Sequence, residues 1–93
     1  MKKHSLPRLN EWDDFDRAAG VLAKSLGWIE GERVDGPDAR VSSFSKNGLQ
    51  LWLVYDDVMG MALKCEGNDS HLAGVGEAIL SVLNYDGRGG HKT

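Results

Sequence analysis

The densest chemistry in the chain is a run of acids, Glu11, Asp13, Asp14 and Asp16. Asp13 and Asp16 are three apart, so on a helix they share a face and in principle could hold a divalent cation. A magnesium or calcium site needs oxygens converging from a loop or from substrate phosphates, and the neighbouring sequence supplies neither. The same charges are favoured at a helix start, where the backbone dipole stabilises anions. Asp13 can also pair with Arg17, four residues on. The run therefore reads as a helix start, with Asp13, Asp14 and Asp16 as a candidate surface for a basic partner.

Other reactive types are scattered. Adjacent acids such as Asp56 and Asp57 favour a turn by bonding their own backbone, which argues against a catalytic pair. His4 and His91 sit towards the ends, and His71 has no nearby cysteine or second histidine with zinc-ligand spacing. Cys65 is expected to be a buried, inert thiol. Ser42, Ser43 and Ser45 lack a nucleophile-elbow context. Gly87, Gly89 and Gly90 follow a helical pattern instead of opening one, so they make no phosphate loop. No catalytic set, metal site or cofactor is expected.

The elements that would position these residues follow from patterning. Asn10 is a good N-cap, and Trp12, Phe15, Ala19, Leu22 and Leu26 recur at helical spacing, which predicts a helix over 11–26 ending at Gly27. A charged segment from Trp28 to Val34 suits an edge strand. Asp35-Gly36-Pro37-Asp38 is a turn by composition, and 39–46 reads as a polar strand. Asn47-Gly48 predicts a two-residue hairpin turn, because both residues tolerate positive φ. Leu49 to Tyr55 is apolar on both sides apart from Gln50, as a central strand should be, and Val58 to Glu66 reads as a fourth strand. Leu72, Val75, Ile79, Val82 and Leu83 outline a second amphipathic helix.

A two-residue turn at Asn47-Gly48 pairs Lys46 with Leu49, Phe44 with Leu51, Ser43 with Trp52 and Val41 with Val54. A three-residue loop over 56–58 would then pair Tyr55 with Met59, Leu53 with Met61 and Leu49 with Cys65, gathering the apolar residues on one face. The expectation is an α+β domain: a four-stranded antiparallel meander in the order α-β-β-β-β-α, with two helices on one face. The domain spans 10–85, after a basic segment at 1–9 and before a disordered tail at 86–93. Nothing remains to cover the opposite face, where Val41, Trp52, Val54 and Ala62 should meet solvent or a partner.

Composition bounds the function. The 93 residues are 41% hydrophobic and 27% charged, close to globular averages. No apolar run approaches a membrane span, and no signal core follows the basic start, so the expected setting is cytoplasmic. A single cysteine suits a reducing compartment. Residues 10–86 hold all 14 acids against six bases, a balance of −8, while the ends carry five bases. An acidic body disfavours nucleic acid and suits a basic protein partner. The functional expectation is a non-enzymatic interaction module of the inhibitor, immunity or adaptor kind. Its partner, another protein or a second copy, would bind through the Trp52 face or along strand 58–66. The alternative is a homodimeric small-molecule-binding or catalytic domain built on the same open face.

Overall fold

The structure, a computed structural model, describes residues 2–66 and 71–89. In chain order it contains β1 (Lys2–Leu6), α1 (Trp12–Gly20), a π-helical turn (Val21–Ser25), β2 (Ile29–Asp35), β3 (Ala39–Lys46), β4 (Leu49–Asp56), β5 (Gly60–Cys65) and α2 (His71–Gly89). The strands form one antiparallel sheet in the order β1-β5-β4-β3-β2, with both helices on one face. This is the expected two-layer α+β architecture, with five strands instead of four.

The extra strand comes from the segment expected to be only a basic lead-in. Lys2 to Leu6 pair with Cys65 to Met61, and Leu6 is fully buried. With one apolar residue in five, this stretch has no strand periodicity of its own; it is held by the unpaired edge of β5. The edge on 58–66 that would have invited a second chain is therefore filled from within the molecule.

The core is shared by both layers. From the sheet come Phe44, Leu51, Leu53, Met61, Leu63 and Cys65; Phe15, Ala18 and Leu22 come from the first helical stretch, and Leu72, Ile79 and Leu83 from α2. Helix α1 is capped one residue later than expected. Glu11 is the N-cap, with extended backbone, and the Asp14 carboxylate accepts the Glu11 N–H at 3.2 Å. The second half of the expected 11–26 helix widens, so that the Leu26 N–H donates to the Val21 carbonyl five residues back. Lys46 Nζ then donates to the Leu26 carbonyl at 2.6 Å, satisfying an orphan acceptor at the helix end. At the other end of the chain α2 continues through Gly89, past the expected start of the tail, and residues 90–93 lie outside the described part. None of the described helices is long and apolar enough to cross a membrane.

The first central hairpin has the expected register, from Lys46↔Leu49 through Val41↔Val54. Asn47 and Gly48 both take positive φ, 53° and 81°. The second hairpin is shifted by two residues: Tyr55 pairs with Met61, Leu53 with Leu63 and Val54 with Ala62. Asp56 Oδ1 accepts the N–H groups of Val58 at 2.7 Å and Met59 at 3.1 Å, which places the loop at 57–59 and closes the ladder at Asp56↔Gly60. A shift of two leaves every side chain on its face. It does move Met59 out of the expected core to 71% exposure, and Leu49 is likewise 40% exposed.

Candidate functional site

The acidic helix start is largely committed within the fold. Asp16 faces β2 and β3, where its two oxygens accept from Arg40 Nη2 at 2.9 Å and Nη1 at 3.2 Å. Arg33 Nη1 adds a third bond at 2.8 Å. Hydrogen bonding from Arg40, followed by that from Arg33 and the charge of both, holds the Asp16 carboxyl below its ordinary range despite partial desolvation. Arg40 is 5% exposed; it also donates to Asp35 at 2.9 Å and to the Trp12 carbonyl at 3.2 Å. Its guanidinium lies 5.0 Å from the Trp12 ring centre and 4.6 Å from that of Phe15. Arg33 binds Glu30, which also accepts from the Ser42 hydroxyl at 2.6 Å. Asp14, not Asp13, meets Arg17.

This cluster is a strut between α1 and the β2–β3 hairpin. Of the expected acidic surface only Asp13 remains exposed without a described ion pair. It lies on the helical layer, away from Val41, Trp52, Val54 and Ala62, so the expected site residues fall into two separate groups. Among the described residues no group of histidine, cysteine and acidic side chains could hold a metal ion.

The second group forms one surface. Pairing across the sheet aligns Val34, Val41, Val54, Ala62 and Ser5 in a row on the face away from the helices. The next row runs through Ser43, Trp52, Lys64 and Lys3, with Glu32 at the β2 end, where its N–H donates to Ser43 Oγ at 2.9 Å. Val34 is 59% and Val41 36% exposed, Trp52 and Val54 are half-buried, and Ala62 is screened by its neighbours. Two shallow depressions flank this row. One, about 260 Å³, lies among Lys3, Val41, Val54, Ala62 and Lys64; the other, about 250 Å³, lies among Glu32, Val34, Ser43, Gln50 and Trp52. Both are below the usual volume of a small-molecule site, roughly 300–1,000 Å³.

Sequence reasoning missed Val34, Lys3 and Glu32. The bulge between Glu30 and Arg33 breaks the alternation of β2, and the strand carrying Lys3 has no apolar period. The only signal for Val34 is its position just before the 35–38 turn, opposite Val41.

A larger hollow among the described residues lies on the helical layer. It is a cleft of about 690 Å³ between the π-helical turn, the 47–49 hairpin and α2, lined by Leu26, Trp28, Leu49, Val75 and Ala78, with Lys46 and Asn47 as its polar wall. Comparison with protein-family models, with curated proteins and with solved structures finds no match to this chain.

Proposed function

We propose that this chain is a non-enzymatic protein-interaction module, of the adaptor or inhibitor kind, whose working surface is the open face of its sheet. The observation that carries this reading is the row Val34–Val41–Val54, exposed or half-buried beside Trp52, on a face that neither helix reaches. Tryptophan flanked by small and β-branched residues is a common anchor of protein interfaces, and uncovered apolar rows on soluble domains mark binding faces. The acidic helix start lends less support, because Asp14 and Asp16 are balanced by Arg17, Arg33 and Arg40. A partner chosen by the open face meets apolar side chains and two lysines, so it need not be basic. A reducing cytoplasm suits this reading, since the chain's single cysteine lies in the core.

A photo-crosslinking amino acid at position 52 tests the reading, with the same group at Ser81, exposed on α2, as the control. Polypeptide adducts at 52 and none at 81 are expected. Adducts at neither position, or equally at both, would sink the proposal.

A second reading, binding of a small molecule, is favoured by the helical-layer cleft, whose volume is that of a ligand site. It moves the expected small-molecule site off the open face. An apolar fluorescent carboxylate should then bind with a loss of Trp28 fluorescence, and Val75→Trp should block it.

A further inference from the structure

We infer that the partner of the open face is a second copy of this chain, related by a two-fold axis that lies between the two sheets and runs along β4. This rests on the reading of that face as the working surface and adds the identity of its occupant.

Two features of the face point to the occupant. The first is a pair of like charges: Lys3 and Lys64 are direct cross-strand partners on the open face, and neither has a described ion pair. Like charges placed opposite each other destabilise a sheet, so this edge favours an incoming carboxylate. The second is where the chain's own carboxylate stands. Glu32 is at the opposite edge of the same row, on β2, with Ser43, Trp52 and Lys64 between it and Lys3.

A two-fold axis along the strands keeps each row at its height and exchanges the two edges of the sheet. Strand β2 of one copy then lies over β1 of the other, β3 over β5, and β4 over β4. Glu32 comes to stand over the partner's Lys3, Val41 over the partner's Ala62, and Trp52 and Val54 meet their own counterparts on the axis. Apolar row meets apolar row, and the charged ends become complementary. An axis across the strands would instead bring the Lys3 and Lys64 edge onto the same edge of the second copy, leaving Glu32 on the far edge from both lysines. The strand-parallel axis also gives the aligned sheet packing common in two-sheet cores. It forms an isologous interface, which closes at two copies.

Size sets the strength. Five strands about 4.8 Å apart and some seven residues long cover roughly 550 Å² per copy, or about 1,100 Å² in all, just below the usual range for a stable interface. The dimer should therefore form with a dissociation constant on the order of micromolar and exchange readily.

The test is solution mass by light scattering and sedimentation over a concentration series up to about 1 mM, well above that constant. The wild type should rise with concentration from 10.2 kDa towards twice that mass. Trp52→Glu should stay at the lower mass. Lys3→Glu and Glu32→Lys should each weaken the dimer about tenfold, and the double variant should recover most of the loss. Both are exposed surface changes, so a thermal unfolding scan should show that each variant remains folded. A wild type that stays monomeric throughout overturns the inference, as does a dimer indifferent to Trp52→Glu or a double variant no better than the singles. If the wild type is monomeric while the cross-linker at 52 captures a different polypeptide, the second copy falls and the open-face reading stands. If the wild type is monomeric and position 52 captures nothing, both fall.

Discussion

Arg40 is a charge taken almost wholly out of water, and it is held by geometry that lysine cannot reproduce. Its planar fork reaches Asp35 on one side and both oxygens of Asp16 on the other, while its faces lie near Trp12 and Phe15. Arg40→Lys keeps the charge but loses the bidentate contact, and should cost about 1–3 kcal/mol in urea denaturation. An unchanged midpoint would mean that the cluster is decoration. Asp16 adds a pH dependence with a definite sign. Its carboxyl titrates lower in the folded chain than the usual value of about 3.9, so its stabilisation is full above that pH and fades as the pH falls towards the depressed folded value. Asp16→Asn should therefore destabilise at neutral pH, and its difference from wild type should shrink as unfolding is measured at progressively more acid pH. None of this was legible beforehand. An arginine at an inward strand position reads as a break in the apolar pattern, and Asp16 lies 24 residues away from it in sequence.

Among the elements, β2 owes its shape to a close approach. An added Cβ at Gly31 would stand 2.6 Å from Ser43 Oγ, the oxygen that accepts the Glu32 N–H. Gly31→Ala should thus cost about 1–2 kcal/mol by overpacking. Adding Ser43→Ala should recover part of that loss although it removes a hydrogen bond; a strictly additive double variant would place the strain elsewhere. The neighbouring hairpin shows which signals carry register. Asn47-Gly48 fixes its turn through its own backbone preferences, so its ladder was readable from the two residues alone. The 56–60 connection is set by the Asp56 side chain bonding to two loop N–H groups, and no apolar count reveals that choice. Burial still selected the correct parity, which is why the open face survived a two-residue error in pairing.

At the scale of the whole molecule, the layers, the central strands and the uncovered face were legible because each follows from local periodicity and from the number of helices available to cover a sheet. The fifth strand was not, since β1 becomes a strand only when β5 is there to receive it. Removal of residues 2–6 should therefore do more than delete a basic segment. It uncovers the β5 backbone and the buried surface under Leu6, and the shortened chain should form soluble oligomers or precipitate where the full chain does not, as read by light scattering.

That same pairing sets an order in time. Strands β2 to β5 are joined by short turns and can zip up one after another, each ladder closing only a small loop of chain. Strand β1 meets β5 across a long intervening sequence, so among the strands its docking carries the largest loop-closure entropy and should complete the sheet last. The first residues of the chain are thus the last of the sheet to find their place. Lys3, whose side chain completes the charged end of the open face, arrives only then, so the face reaches its final charge pattern after the rest of the sheet has formed.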